Sequence, residues 1–226
     1  IGVRAVVLAA QGKSFCAGAN FGDGSTLDRS GQRPGEELLG SGHLYLQAVR
    51  LFRTRKPIIG AIHGAAVGGG LGLAMVPDFR VTCPEARFSA NFTRLGFHPG
   101  FGLTTTLTEV IGPAKAAMMF YTSRRVTGED AYAMGLADVL APDVAGLGPA
   151  ALKLADYVVT EAGFGAENSP LGLMSTRATM RAGLADRVQK ATEHELKEQS
   201  ALRSSDDFKE GIKAMAERRV PNFPGR

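Results

Sequence analysis

The chain has 226 residues, 44% of them hydrophobic, and 26 Lys and Arg against 22 Asp and Glu give a formal charge of +4. That length suits one domain with a modest extension; no apolar run approaches the ~20 residues of a membrane span, and no signal-peptide pattern opens the chain, so a soluble cytoplasmic protein without a membrane partner is expected. Two cysteines, Cys16 and Cys83, and four scattered histidines argue against a disulfide framework and offer no metal-ligand spacing, so no metal is expected.

In chain order, Val3 to Ala10 is rich in β-branched and small apolar residues and reads as a buried strand. Gly22 to Gly35 reads as a polar, Gly-rich loop, and Glu36 to Arg53 carries helical spacing in Leu38, Leu39, Leu44, Leu46, Val49 and Phe52. Pro57 to Ile62 is a second strand, and the run Ile62 to Ala74 that follows it contains five glycines before opening into a helix-compatible segment. Asp78 to Cys83 and Ala86 to Ser89 read as short strands. Leu103 to Ile111 and Ala114 to Tyr121 read as helices divided by Gly112-Pro113. Thr127-Gly-Glu-Asp130 resembles a capping box opening another helix. From about Asn168 the chain is helical, with Ser204-Ser205-Asp206 starting the last helix. Repeated strand-turn-helix units imply right-handed crossovers.

The glycine-rich run is the most informative segment. Glycines let a ligand approach the main chain, and free N–H groups at a helix start favour negative charge. It is not a P-loop, because Gly70 and Leu71 stand where Lys and Ser or Thr belong. It is not the dinucleotide fingerprint either, because Leu73 replaces the third glycine. No G-x-S-x-G elbow occurs. Two readings of the run remain: a backbone-built anion site, or glycines that only let a helix pack closely on a strand.

Lys13-Ser14-Phe15-Cys16-Ala17-Gly18-Ala19-Asn20, together with Pro57 to Ala74, closely resembles the crotonase superfamily, also called the enoyl-CoA hydratase/isomerase family. Further matches follow at Asp78 to Val81, Ala86 to Phe88, Leu95 to Gly102, Thr127 to Ala131, Gly135 to Val139 and Asp206 to Phe223. The resemblance implies an α/β fold, a crotonase-like ββα spiral with a helical C-terminal extension, divided into a core at 1–165 and an oligomerisation and CoA-covering region at 166–226. It implies an acyl-CoA or enoyl-CoA substrate, no separate cofactor, and trimers or dimers of trimers. The main-chain N–H groups of Ala19 and Gly69 match the pair that holds the thioester oxygen in this family. Lys13, Ala17, Ala19, Phe21, Lys56, Gly68, Gly69, Arg219 and Phe223 match CoA-binding positions, and Arg218 resembles a residue at the same nucleotide edge. Family members usually carry a strand-helix unit before the segment that opens this chain. Ile1 starts at the later strand, which leaves adenine binding and the first sheet edge as the features most in question.

The acid–base residues depart from the family pattern. The two hydratase glutamates align with Gly72 and Phe92, and a third carboxylate position used by some isomerases aligns with Gly100. Hydration needs a base for water and a proton for the α-carbon, so the ordinary hydratase mechanism is not expected. Enolate chemistry that needs fewer groups fits better: isomerisation, decarboxylation or C–C cleavage. His98 is the replacement candidate for proton transfer, because it lies in the loop that faces the acyl group and titrates near neutrality. His63 is expected to stabilise a turn, Asp23 to be a solvated loop charge and Glu109 to pack or face outward. His43 and Tyr45 lie on the helix expected to line the acyl cavity. Arg50, Arg53, Arg55 and Lys56, the pair Arg124-Arg125 and the pair Arg218-Arg219 are basic clusters that lack interleaved aromatics, so nucleic acid is not the expected partner. The alternative of a different class is a catalytically inactive CoA-binding or assembly subunit.

Overall fold

In the computed structural model, residues 2–19, 44–160 and 167–226 are described. Four strands form a wholly parallel sheet in the order β1 (Val6–Leu8), β2 (Ile58–Ile62), β4 (Phe79–Thr82), β7 (Val139–Leu140). A second sheet is built from β3 (Ala65–Val67), β5 (Arg87–Ser89) and β6 (Val126–Thr127), with β3 and β5 parallel and β6 antiparallel. Cys16 extends this sheet on its other edge by bridging to Ala66. Every residue of β2 is buried, which explains its continuous apolar sequence: helices cover both faces of a parallel sheet.

The helices are α1 (Leu44–Phe52), α2 (Gly69–Ala74), α3 (Leu103–Ile111), α4 (Pro113–Thr122), α5 (Gly128–Met134), α6 (Val144–Thr160), α7 (Pro170–Met180), α8 (Leu184–Leu202) and α9 (Asp206–Ala216). Ile59, Ala61 and Val81 pack against Leu147 and Ala151 of α6. A larger core centred on Phe88, Leu71, Leu103 and Leu107 joins the second sheet to α2 to α5. A third cluster sets Val49 and Phe52 of α1 against Ile58, Phe101 and Val188 of α8. Among the described residues no helix is long and apolar enough to cross a membrane.

The expected strands appear with shorter ends, the helix expected over Leu103 to Ile111 has those bounds, and the one expected over Ala114 to Tyr121 runs from Pro113 to Thr122. Thr127 caps α5, its Oγ1 accepting from the Asp130 N–H at 3.1 Å, and Ser205 caps α9 by accepting from the Phe208 N–H at 3.1 Å. Each places a hydroxyl on an otherwise orphaned helix donor. The expected helix from Glu36 is seen from Leu44; the residues before it, like the Gly22 to Gly35 loop, lie outside the described residues. β3, lodged inside the glycine-rich run, was not expected as a separate strand.

A partly buried carboxylate ties the helices to the sheet. Asp78 accepts from the Ile58 N–H at 2.8 Å, from Arg177 Nε at 2.8 Å and from Arg181 Nη1 at 2.6 Å. Arg177 also donates to the Thr54 carbonyl. These bonds fasten α7 to the entry of β2 and β4. A second carboxylate, the buried Glu195 of α8, caps α3: Oε2 accepts from the Gly102 N–H at 2.6 Å, and Oε1 accepts from the Thr104 N–H at 3.0 Å and from its hydroxyl at 2.6 Å. A negative charge at a helix N-terminus meets both the free donors and the dipole.

Candidate functional site

Glycine lets two loops meet here. Gly18 has φ +81°, and a Cβ there would lie 2.6 Å from the Val67 carbonyl oxygen and 3.7 Å from the Gly69 nitrogen. A Cβ on Gly70 would collide with the carbonyl of Cys16. The segment after Cys16 and the β3–α2 turn can therefore approach backbone to backbone only without side chains at these points. They enclose a cavity of about 190 Å³ whose wall includes Ala17, Ala19, Gly68, Gly69, Asn91 and Phe92. The N–H groups of Ala19 and Gly69 have no acceptor among the described residues. Gly69 is the first residue of α2, where a helix leaves its donors unpaired.

Aromatic rings occupy the space where carboxylates were sought. Phe92 itself lines the cavity. A side chain starting at Gly72 would lie 2.5 Å from Cβ and Cγ of Phe101, a buried residue in left-handed conformation with φ 67°. A side chain at Gly100 would begin 2.6 Å from Gln199 Nε2 and 2.7 Å from the Tyr45 ring. Among the described residues of the cavity wall there is no Asp, Glu or His.

Tyr45 is the ionisable side chain on that wall. It stands on α1 one turn before Val49 and two before Phe52, the residues that anchor the helix in the core. Its ring packs 5.2 Å from that of Phe101, and its hydroxyl lies 2.7 Å from where a Cβ on Gly69 would stand. Burial, reinforced by the negative charge of Glu195 nearby, pushes the phenol up to about 12, so the group is a neutral donor at physiological pH.

His98 stands in the loop before α3. Its ring does not join the cavity wall; Nδ1 lies 2.8 Å from the Pro99 carbonyl oxygen, and the ring sits 6.2 Å from that of His194 on α8. Gln199 Nε2 donates to the His98 carbonyl at 2.9 Å. Lys13 is exposed, and Lys56 precedes β2, at the N-terminal end of that strand; neither lines the cavity, nor does Phe223. Arg219 is paired with Glu210 and Glu217. Phe21, Asp23 and His43 lie outside the described residues. His63 is buried with Nε2 2.9 Å from the Gly12 carbonyl oxygen, a tie between two loops, and Glu109 pairs with Arg187 at 3.0 Å. Asn91 was missed: it follows β5, lines the cavity, and brings Oδ1 to 3.3 Å from the Cβ position of Gly68. Nothing in its local sequence distinguishes it from a turn asparagine.

Among the described residues no three His, Cys, Asp or Glu side chains gather as metal ligands would. The arrangement can accept an oxyanion on two main-chain donors and offer it a phenolic proton.

Known proteins resemble this chain over most of its length. A probable enoyl-CoA hydratase of Bacillus subtilis is 34% identical over 224 residues, 99% of this chain and 83% of the relative. A probable enoyl-CoA hydratase of Mycobacterium tuberculosis is 38% identical over 196 residues, 86% of this chain and 70% of the relative. Among solved structures, EchA1_1 of Mycobacterium paratuberculosis superposes with a TM-score of 0.79 at 28% identity, covering 99% of this chain and 82% of that one. The enoyl-CoA hydratase/isomerase of Pseudoalteromonas atlantica gives a TM-score of 0.78 at 25% identity, covering 97% and 81%. The sequence pattern of the family described as enoyl-CoA hydratase/isomerase matches residues 2–226, and this chain belongs to that family.

Proposed function

We propose that the chain is an acyl-CoA-processing enzyme that works through a thioester enolate and makes that enolate by breaking a carbon–carbon bond, as a decarboxylase or C–C lyase does. The observation that carries this reading is a pair of unoccupied main-chain donors, at Ala19 and Gly69, facing a cavity whose described wall holds no carboxylate. Preorganised donors stabilise the charge that develops on a thioester oxygen without reorganising. Hydration and isomerisation both also demand a base at carbon or at water, and a phenol held neutral is a poor one.

Decarboxylation does not need that base. The bond from the α-carbon to a departing carboxylate breaks, its electron pair enters the thioester as the enolate, and carbon dioxide leaves. Tyr45, its hydroxyl beside Gly69, then delivers a proton to the α-carbon and is reprotonated by water. Phe92, Phe97 and Leu95 give the cavity an apolar wall, which favours loss of charge from the carboxylate.

The test is incubation with malonyl-, pentanoyl- and enoyl-CoA thioesters in deuterated water, followed by mass. Release of carbon dioxide with one deuterium placed on the product, lost in Tyr45→Phe and kept in His98→Ala, is the expected result. Deuterium exchange into pentanoyl-CoA that disappears in His98→Ala would instead restore His98 as a base and the isomerase reading. Binding of thioesters with neither exchange nor cleavage would identify an inactive CoA-binding subunit.

A further inference from the structure

A second cavity, of about 300 Å³, shares Val67, Asn91, Leu95 and Met215 with the thioester cavity. Its charge is one-sided. Arg94, Arg125, Arg218 and Arg219 line it, and no Asp or Glu does among the described residues. Arg219 is occupied, holding Glu210 through two bonds at 2.5 and 2.8 Å and Glu217 at 2.6 Å. The side chains of Arg94, Arg125 and Arg218 carry no hydrogen bond or ion pair among the described residues.

The main chain beneath these guanidinium groups is fixed. The Ser123 hydroxyl lies 2.8 Å from that of Thr93 and accepts from the Arg94 N–H at 3.2 Å, while Ser89 donates to the Ser123 carbonyl at 3.2 Å. That network joins the turn carrying Arg94 to the residue two before Arg125. Ser123 and Arg218 both adopt left-handed backbone, φ 50° and 55°, a conformation that costs a residue with a Cβ roughly 1–2 kcal/mol. Strain of this kind collects where a site needs a particular geometry. Three uncompensated cations around one small cavity repel one another, and an anion would relieve that repulsion through charge-assisted, bidentate bonds.

We infer that this cavity receives a carboxylate at the far end of the acyl chain, so that the substrate is a CoA thioester whose acyl group carries a distal carboxylate in addition to the carbon–carbon bond that breaks beside the thioester. The inference rests on the acyl-CoA reading above. Position decides between an acyl carboxylate and the phosphates of CoA. The two cavities share four wall residues, so a few carbons reach from the thioester carbonyl to the guanidinium groups, whereas the long pantetheine arm separates the sulfur from the nucleotide. The order across the second sheet agrees: Cys16, β3, β5, β6. The thioester donors follow Cys16 and β3, while Ser89 and Asn91 at the end of β5 and Arg125 before β6 line the arginine cavity.

The experiment measures the affinity of the full chain for glutaryl-CoA, pentanoyl-CoA and CoA, and for the glutaryl and pentanoyl thioesters of pantetheine, which lack the nucleotide. The two acyl groups have equal length and differ only in the terminal carboxylate. We expect the glutaryl forms to bind roughly tenfold to a hundredfold tighter, the range of a hydrogen bond to a charged group. We expect Arg94→Gln and Arg125→Gln to erase that preference and leave pentanoyl-pantetheine unchanged. Both residues are exposed and their side chains make no hydrogen bond or ion pair among the described residues, so the variants keep the fold. Equal binding of the glutaryl and pentanoyl forms overturns the inference. Equal weakening of glutaryl-CoA, pentanoyl-CoA and CoA in the variants, with no effect on either pantetheine thioester, also overturns it and assigns the guanidinium groups to the phosphates. If no thioester binds at all, the acyl-CoA reading fails and takes this inference with it; pentanoyl-CoA binding alone separates the two failures.

Discussion

The surroundings of Asp78 and the walls of the thioester cavity are made from opposite materials. At Asp78 a partly buried carboxylate has three donors, two of them guanidinium groups, and its charge is answered within the fold. In the cavity two main-chain donors wait without an acceptor, the walls are apolar, and the ionisable side chain is a neutral phenol. Interactions closed within the chain contribute to stability, while those left open contribute when a ligand arrives. The two regions should therefore respond to substitution in different observables.

The largest effect is expected at the closed region. Asp78→Ala leaves Arg177 and Arg181 as uncompensated, nearly buried cations, which costs about 3–5 kcal/mol; urea denaturation should show the loss, and a midpoint unchanged from the parent would break the contrast. Ala19→Pro deletes one open donor. It should lower turnover of a thioester roughly 100- to 1000-fold while the thermal midpoint moves little, and a large drop in midpoint would put that N–H in the fold rather than the site.

Smaller effects follow from titration. Folding raises the Tyr45 phenol from 10.0 to about 12, so the native state keeps a proton that the unfolded chain releases. Its contribution to stability is full below pH 10 and should decline by about 1.4 kcal/mol per pH unit up to about 12. Tyr45→Phe should flatten that alkaline decline in a denaturation series. At the other end of the scale, Arg219 bonding to Glu210 draws its carboxyl from 4.5 down to about 2. Stability from that pair is present above pH 4.5 and lost as the pH falls towards 2, and Arg219→Gln should remove this part of the acid dependence.

What could be read from the sequence follows the same division. Close approach of two main chains depends on where glycine stands, and Gly18 and Gly70 stand where the segment after Cys16 meets the β3–α2 turn, so that approach was legible. The caps at Thr127 and Ser205 were legible because one hydroxyl and one N–H three residues away suffice. In the second sheet β5 was legible and β3 and β6 were not, since these three- and two-residue strands lie inside a glycine-rich run and against a helix cap. The side of the loop that His98 faces depends on how Pro99 turns the chain against α8, which is a tertiary fact. The arginine cavity draws on residues 94, 125 and 218, three segments with no local signal in common.

Phe101 gives the family's chemistry a direction of travel. Its ring stands behind Gly72 and its backbone holds a left-handed turn with φ 67°, so a glutamate introduced at position 72 alone has nowhere to go. Replacing Phe101 with glycine first would relieve the backbone and open the space, at the cost of a buried ring, about 3–5 kcal/mol. Converting this site into one with paired carboxylates is thus a matter of order: the route through position 101 passes over a weakened protein, and the route through position 72 is closed by a collision.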